Sequence, residues 1–122
     1  MKVALIPVAR PTFDVPTAER FFEEAKELLA SLGAEIVTPS ELVMTPEQTE
    51  AVGVLDIDQP KIIYLNASFA DASMAMNLLG KKDGDLLLWS VREFGEVGER
   101  LHLNSMCGSN LAAHALRTVG KS

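Results

Sequence analysis

The chain has 122 residues, 48% of them apolar and 23% charged, with a formal net charge of −6. A domain of this size buries a core without staples, and the apolar share excludes a disordered chain. The acidic balance argues against nucleic acid or an anionic membrane surface as a partner, since either needs a basic face.

Near Met1 the run KVALIPVA is too short for a secretory leader and leads straight into Arg10 and Asp14. No apolar run approaches the ~20 residues needed to cross a bilayer. The single cysteine cannot form an internal disulfide. The expectation is one soluble, cytoplasmic domain over residues 1–122.

Lys2 to Ala9 is a nearly continuous apolar run and predicts a buried strand, loosened or bulged at Pro7, which has no N–H for a central ladder. Phe21, Phe22, Ala25, Leu28, Leu29 and Leu32 recur at helical spacing, with Pro16 and Thr17 near the start and Gly33 just past the end. Ala34 to Thr38 is a short second strand. Thr45-Pro46-Glu47-Gln48 reads as a capping box with proline at the first helical position. The helix it opens is brief, because Gly53 weakens it and Asp56 to Pro60 is a turn.

Lys61 to Leu65, bounded by Asn66, is a third strand. Asp71 to Leu79 then carries Ala72, Ala75, Met76 and Leu79 on one helical face, closed by Gly80. Asp85 to Val91 is the fourth strand. A polar loop from Arg92 to Arg100 and a short extended piece at Leu101 to Leu103 lead to a last helix, from about Ser105 to Val119, stopped by Gly120.

Strands that are apolar throughout need cover on both faces, and strands alternating with helices make a parallel sheet. The expected fold is therefore a doubly wound α/β domain, flavodoxin- or Rossmann-like. Its parallel sheet has about four strands in order 2-1-3-4, with helices on both faces. The chain ends on a helix, so either the sheet is small or the rest of the protein supplies the next strand.

In such sheets ligands bind beyond the carboxyl ends of the strands. Four segments converge there: Arg10-Pro11-Thr12-Phe13-Asp14, Asn66 to Asp71, Trp89 to Glu93, and the polar block Asn104 to Asn110. A guanidinium, several hydroxyls and amides, and aromatic faces suit a polyhydroxylated ligand. Its hydroxyls need polar partners and its C–H face needs a ring. Arg10, Phe69, Trp89, Asn104 and Asn110 are the candidate substrate-binding residues.

Each has a duller use. Arg10 is equally served by pairing with Asp14, and Asp14 and Asp71 read better as N-caps than as acids. Trp89, at the end of an apolar strand, is more often core or interface than a stacking platform. Phe69, between polar neighbours, is the better candidate for an exposed ring. Asn104 and Ser105 serve equally as helix caps.

Several chemistries are excluded. VARPTFD after the first strand lacks the glycines of a phosphate-cradling loop. A receiver domain of this length would carry an acidic pair after the first strand, and Asn66 stands where its acceptor aspartate would be. Cys107 and His114 lie seven apart on one predicted helix, roughly 10 Å of rise, too far for a nucleophile–base pair. Two histidines without a carboxylate cluster make no metal site. No catalytic constellation is present.

VALIPVARPTFD at 3–14, LNASFAD at 65–71, LLLWS at 86–90 and RLHLNSMCGSNLAAHAL at 100–116 together resemble the N-terminal domain of the L-fucose isomerase family. The resemblance implies part of an aldose–ketose isomerase that works through an ene-diol with a divalent metal, typically Mn²⁺. In that family the metal-ligating glutamate, aspartate and histidine lie in later domains, so no cofactor is expected in this chain. The N-terminal domain of one subunit closes over a neighbour's active site, which implies a homo-oligomer sharing its sugar substrate. Arg10 matches the family's substrate-contacting arginine, and the aromatic contact falls near Phe69, with Trp89 a second candidate. On this reading the chain is an N-terminal fragment, inactive alone. The reading from a different class is a stand-alone module that binds a sugar or sugar phosphate.

Overall fold

The computed structural model describes residues 2–45, 48, 53–54, 61–70, 72–79, 85–91, 112–114 and 116–117. Strand β1 (Lys2–Val8) leads into helix α1 (Val15–Ser31) and the three-residue strand β2 (Glu35–Val37). Strand β3 (Lys61–Asn66), helix α2 (Ala72–Leu79) and strand β4 (Asp85–Ser90) follow. All pairings are parallel and the order is β2-β1-β3-β4, the order expected from the sequence.

Alternation along the strands divides the core in two. Ala4, Ile6, Val8, Ile62 and Tyr64 point to one face, where Met74 and Leu78 of α2 cover them. Val3, Leu5, Ile63 and Leu65 point to the other, where Phe22 and Ala25 of α1 cover them. The fold is doubly wound because both faces of the central strands are apolar and each needs a helix. The described residues 53–54, 112–114 and 116–117 are helical. Val54, Ala112 and Leu116 join the α2 face.

Local chemistry sets the ends of α1. The Asp14 carboxylate accepts from the Thr17 N–H at 3.1 Å, the N-cap role read from the sequence. Pro16 lies in the first turn, where no intrahelical N–H bond is lost. At the other end Gly33 adopts φ +85°. Its N–H donates to Ala30 O at 3.0 Å and Ala34 N–H donates to Leu29 O at 3.1 Å, a Schellman closure that glycine accommodates without strain. Gln48 supplies the return half of the predicted capping box, its Oε1 accepting from the Thr45 N–H at 3.1 Å. Pro46 and Glu47 lie outside the described residues.

The expected loosening at Pro7 does not occur. The register runs unbroken through Ile6↔Tyr64, Pro7↔Leu65 and Val8↔Asn66. The Pro7 carbonyl accepts from Val43 N–H at 2.8 Å. The N and O of one strand residue share an edge, so the missing N–H also faces the Val43 side and not β3. There β2 has already ended, since it pairs only with Lys2–Ala4, and the ladder loses nothing. Among the described residues no helix is long and apolar enough to cross a membrane.

Candidate functional site at the carboxyl ends of the strands

Beyond Val8 the backbone is anchored from two sides. Ala9 N–H donates to Val43 O at 3.1 Å, and Arg10 N–H donates to the Ser68 hydroxyl at 3.1 Å. The chain then turns, with Phe13 N–H donating to Arg10 O at 3.1 Å, and enters α1. From the neighbouring strand, Ala67 and Ser68 both donate their N–H groups to Val8 O, at 3.0 and 3.4 Å. The loops after β1 and β3 are therefore joined by backbone bonds. Ser68 is 1% exposed, so its hydroxyl works inside the junction and not on a ligand.

Above this junction the Arg10 guanidinium lies over the Phe69 ring, 5.7 Å from its centroid. Phe13 and Phe69 meet at 5.8 Å with their rings tilted by 46°. Arg10 is exposed and both rings are half-buried. A guanidinium held over an aromatic face on a fixed backbone keeps its charge and its planar fork of donors, and the contact stabilises the pose by about 0.5–1 kcal/mol at an exposed site. Such an arrangement can bind an anionic oxyacid or a pair of vicinal hydroxyls, and the rings can carry a C–H face.

Of the candidates read from the sequence, Arg10 and Phe69 come together. Trp89 stands opposite Leu65 on β4 and packs, half-buried, against the core under α1. Asn104 and Asn110 lie outside the described residues, as do Ser105 and Cys107. Asn66 is fully buried at the end of β3, between Val8 and Ser90. His114 is helical and exposed. Phe13 and Ser68 are the additions. Phe13 was legible only as one of five loop residues, and Ser68 only as a hydroxyl in a polar loop. Among the described residues no three His, Cys, Asp or Glu side chains are grouped to hold a metal ion.

The chain is similar to curated sulfoquinovose isomerases. The protein of that name from Clostridium sp. (strain MSTE9) is 35% identical over 120 residues, which is 98% of this chain and 26% of the relative. That from Alkalicoccus urumqiensis is 35% identical over 97% of this chain and 26% of its own length. That from Priestia aryabhattai is 34% identical over 94% of this chain and 26% of its own. The chain thus spans about a quarter of the length of the relatives it matches. No family model and no solved structure matches it.

Proposed function

We propose that this chain is the substrate-recognition and oligomerisation domain of a sugar isomerase that interconverts a sulfonated aldose and its ketose. The observation that carries the reading is the 35% identity to sulfoquinovose isomerases along 98% of the chain. The fucose-isomerase resemblance belongs to the same reaction class and leaves the sugar open; the sulfonated sugar in the relatives' name supplies the proposed substrate. Sulfoquinovose is a hexose bearing a sulfonate, and an acidic protein needs a localised cation to bind it. Arg10 is the residue we assign to this role, since a guanidinium fork offers the paired donors that an oxyanion accepts.

On this reading the chain's own residues bind and orient. The proton transfers of an aldose–ketose isomerisation, and the divalent metal that would polarise the carbonyl and hydroxyl oxygens, belong to residues outside this chain, as does the neighbouring subunit whose site Arg10 would reach. The test is to express the complete polypeptide containing residues 1–122 and to follow sulfoquinovose by NMR, with and without a chelator. Conversion to the ketose, abolished by chelation and absent from the 122-residue chain alone, is the expected result. A complete polypeptide that leaves sulfoquinovose unchanged in the presence of Mn²⁺ would sink the reading.

A further inference from the structure

Arg10-Pro11-Thr12-Phe13 is one tight turn, closed by the Phe13 N–H donating to Arg10 O at 3.1 Å. Pro11 occupies its second position, where the fixed φ of proline suits a turn. Arg10 is therefore the first residue of the turn and Phe13 the last. Both side chains reach the same ring. The Arg10 guanidinium lies 5.7 Å from the Phe69 centroid, and the Phe13 ring lies 5.8 Å from it, tilted by 46°. Tilted rings at that spacing make a favoured aromatic contact.

Core packing does not account for a phenyl ring at Phe13. Among the described residues, neither Phe13 nor Phe69 joins the two core clusters. Phe13 directly precedes the N-cap Asp14, a position that often staples onto the residue four after the cap. That residue is Ala18, which offers a single carbon. The large ring of Phe13 is committed to Phe69.

Phe69 has use for such a neighbour. Its backbone is fixed, because Ser68 is tied to Val8 O and to the Arg10 N–H. The Ser68 hydroxyl also donates to Phe69 O at 3.4 Å. The ring is only half-buried, so its two side-chain torsions are set by what touches it. Among the described residues Phe13 is the ring in contact with it. A guanidinium stays over an aromatic face only while that face stays in place. The pose of Arg10 thus depends on Phe13 by way of Phe69.

We infer that Phe13 is a positioning residue for Arg10, bracing the Phe69 ring on which the guanidinium rests. Its consequence for substrate rests on the proposed reading, in which Arg10 takes the anionic end of the sugar. A braced guanidinium has given up the freedom of a long side chain before substrate arrives. An unbraced one gives it up on binding, which weakens affinity about two- to tenfold for one such side chain. That cost falls on KM, because on the same reading the groups that set kcat lie outside this chain.

Phe13→Leu and Phe13→Tyr, each made in the complete polypeptide, test it with two readouts. Phe13 is half-buried and outside both cores, so leucine leaves the fold intact. Crystal structures read the pose with no appeal to activity. The guanidinium should remain over Phe69 in Phe13→Tyr and be displaced from it in Phe13→Leu. A guanidinium over Phe69 in both would overturn the inference. Kinetics with sulfoquinovose read the consequence. Phe13→Leu should raise KM about two- to tenfold with kcat little changed, and Phe13→Tyr should keep the parent KM. In an Arg10→Ala background Phe13→Leu should raise KM no further, because the residue it positions is gone. An unchanged KM in Phe13→Leu would overturn the inference, and so would a fully additive loss, which places Phe13 on the sugar itself. A parent polypeptide that leaves sulfoquinovose unchanged removes the proposed function alone, and the crystallographic comparison still decides the brace.

Discussion

The backbone N–H of Arg10 donates to the buried hydroxyl of Ser68 at 3.1 Å, across 58 positions of sequence. This bond ties the loop after β1 to the loop after β3, and it sets the height at which the Arg10 side chain leaves the sheet. Two backbone bonds from Ala67 and Ser68 to Val8 O hold the same junction from below. The guanidinium over Phe69 is therefore mounted on a rigid crossing of the two central strands, while its charged end stays exposed.

Ser68→Ala removes the acceptor and leaves the Arg10 N–H without this partner in a part-buried setting. The expected loss is about 1–2 kcal/mol of folding stability, the penalty for an unsatisfied amide. Urea unfolding of the purified chain measures it. On the proposed reading, the same change in the complete polypeptide should raise KM more than it lowers kcat, because it would loosen Arg10 as a binding residue. An unchanged unfolding midpoint would show that the bond contributes nothing net.

The sheet was legible from sequence and the site only partly so. Apolar runs separated by helical spacing decide strand number, and their uninterrupted character implies a parallel sheet covered on both faces. The fit of Pro7 was not legible, because it depends on where β2 stops beside β1. Sequence periodicity does not carry that information for a three-residue strand. Phe13 and Ser68 were hidden for a related reason. The value of Ser68 lies in its burial against a loop 58 positions away, and that of Phe13 in a turn that brings it to Phe69. Arg10 and Phe69 were legible as candidates because they follow apolar strands in loops at the carboxyl ends, Phe69 between polar neighbours, although Arg10 served equally as a partner for Asp14.

Tyr64 carries a testable misfit. Its side chain is fully buried on the α2 face, and its hydroxyl has no hydrogen-bond partner among the described residues. Burial without a counter-charge pushes its phenol well above the ordinary value. Tyr64→Phe removes an unsatisfied polar atom without opening a large cavity, so it should stabilise the chain by about 1 kcal/mol near neutral pH.

The same residue gives a pH signature. Below about pH 10, where an unfolded tyrosine begins to ionise, the phenol is protonated in both states and contributes no slope. Above it the unfolded chain releases the proton while the folded chain retains it. Stability then falls with rising pH by about 1.4 kcal/mol per unit from this group. The parent chain should lose stability faster than Tyr64→Phe from about pH 10 upward, and the gap between them should be constant below. Parallel unfolding curves at pH 8 and pH 11 would overturn this account.

Gly33→Ala isolates backbone strain from packing. A β-carbon added at Gly33 meets nothing within 4 Å, so no clash contributes. The cost comes from holding an L-residue at φ +85° to keep the Schellman bonds from Gly33 and Ala34. The expected loss is about 1–2 kcal/mol, read from denaturant unfolding. Gly33→Asn, whose side chain tolerates the left-handed region, should recover part of it.

Arg10 is where chemistry and fold separate most cleanly. Its side chain is exposed and lies over Phe69, so Arg10→Ala should lower folding stability only slightly, by about 0.5–1 kcal/mol for the lost ring contact. In the complete enzyme it would remove a charge-assisted contact of about 1.5–3 kcal/mol and lower kcat/KM for sulfoquinovose by about 10- to 150-fold. Arg10→Lys keeps the charge but loses the planar fork, so it should fall between the two. The decisive comparison is with a neutral hexose. If Arg10 meets the sulfonate, the alanine variant loses discrimination between sulfonated and neutral sugar, and the neutral sugar is turned over about as well as before. An equal loss on both would move Arg10 onto a hydroxyl pair, which the same fork also fits. No loss on either would leave the guanidinium over Phe69 as surface packing.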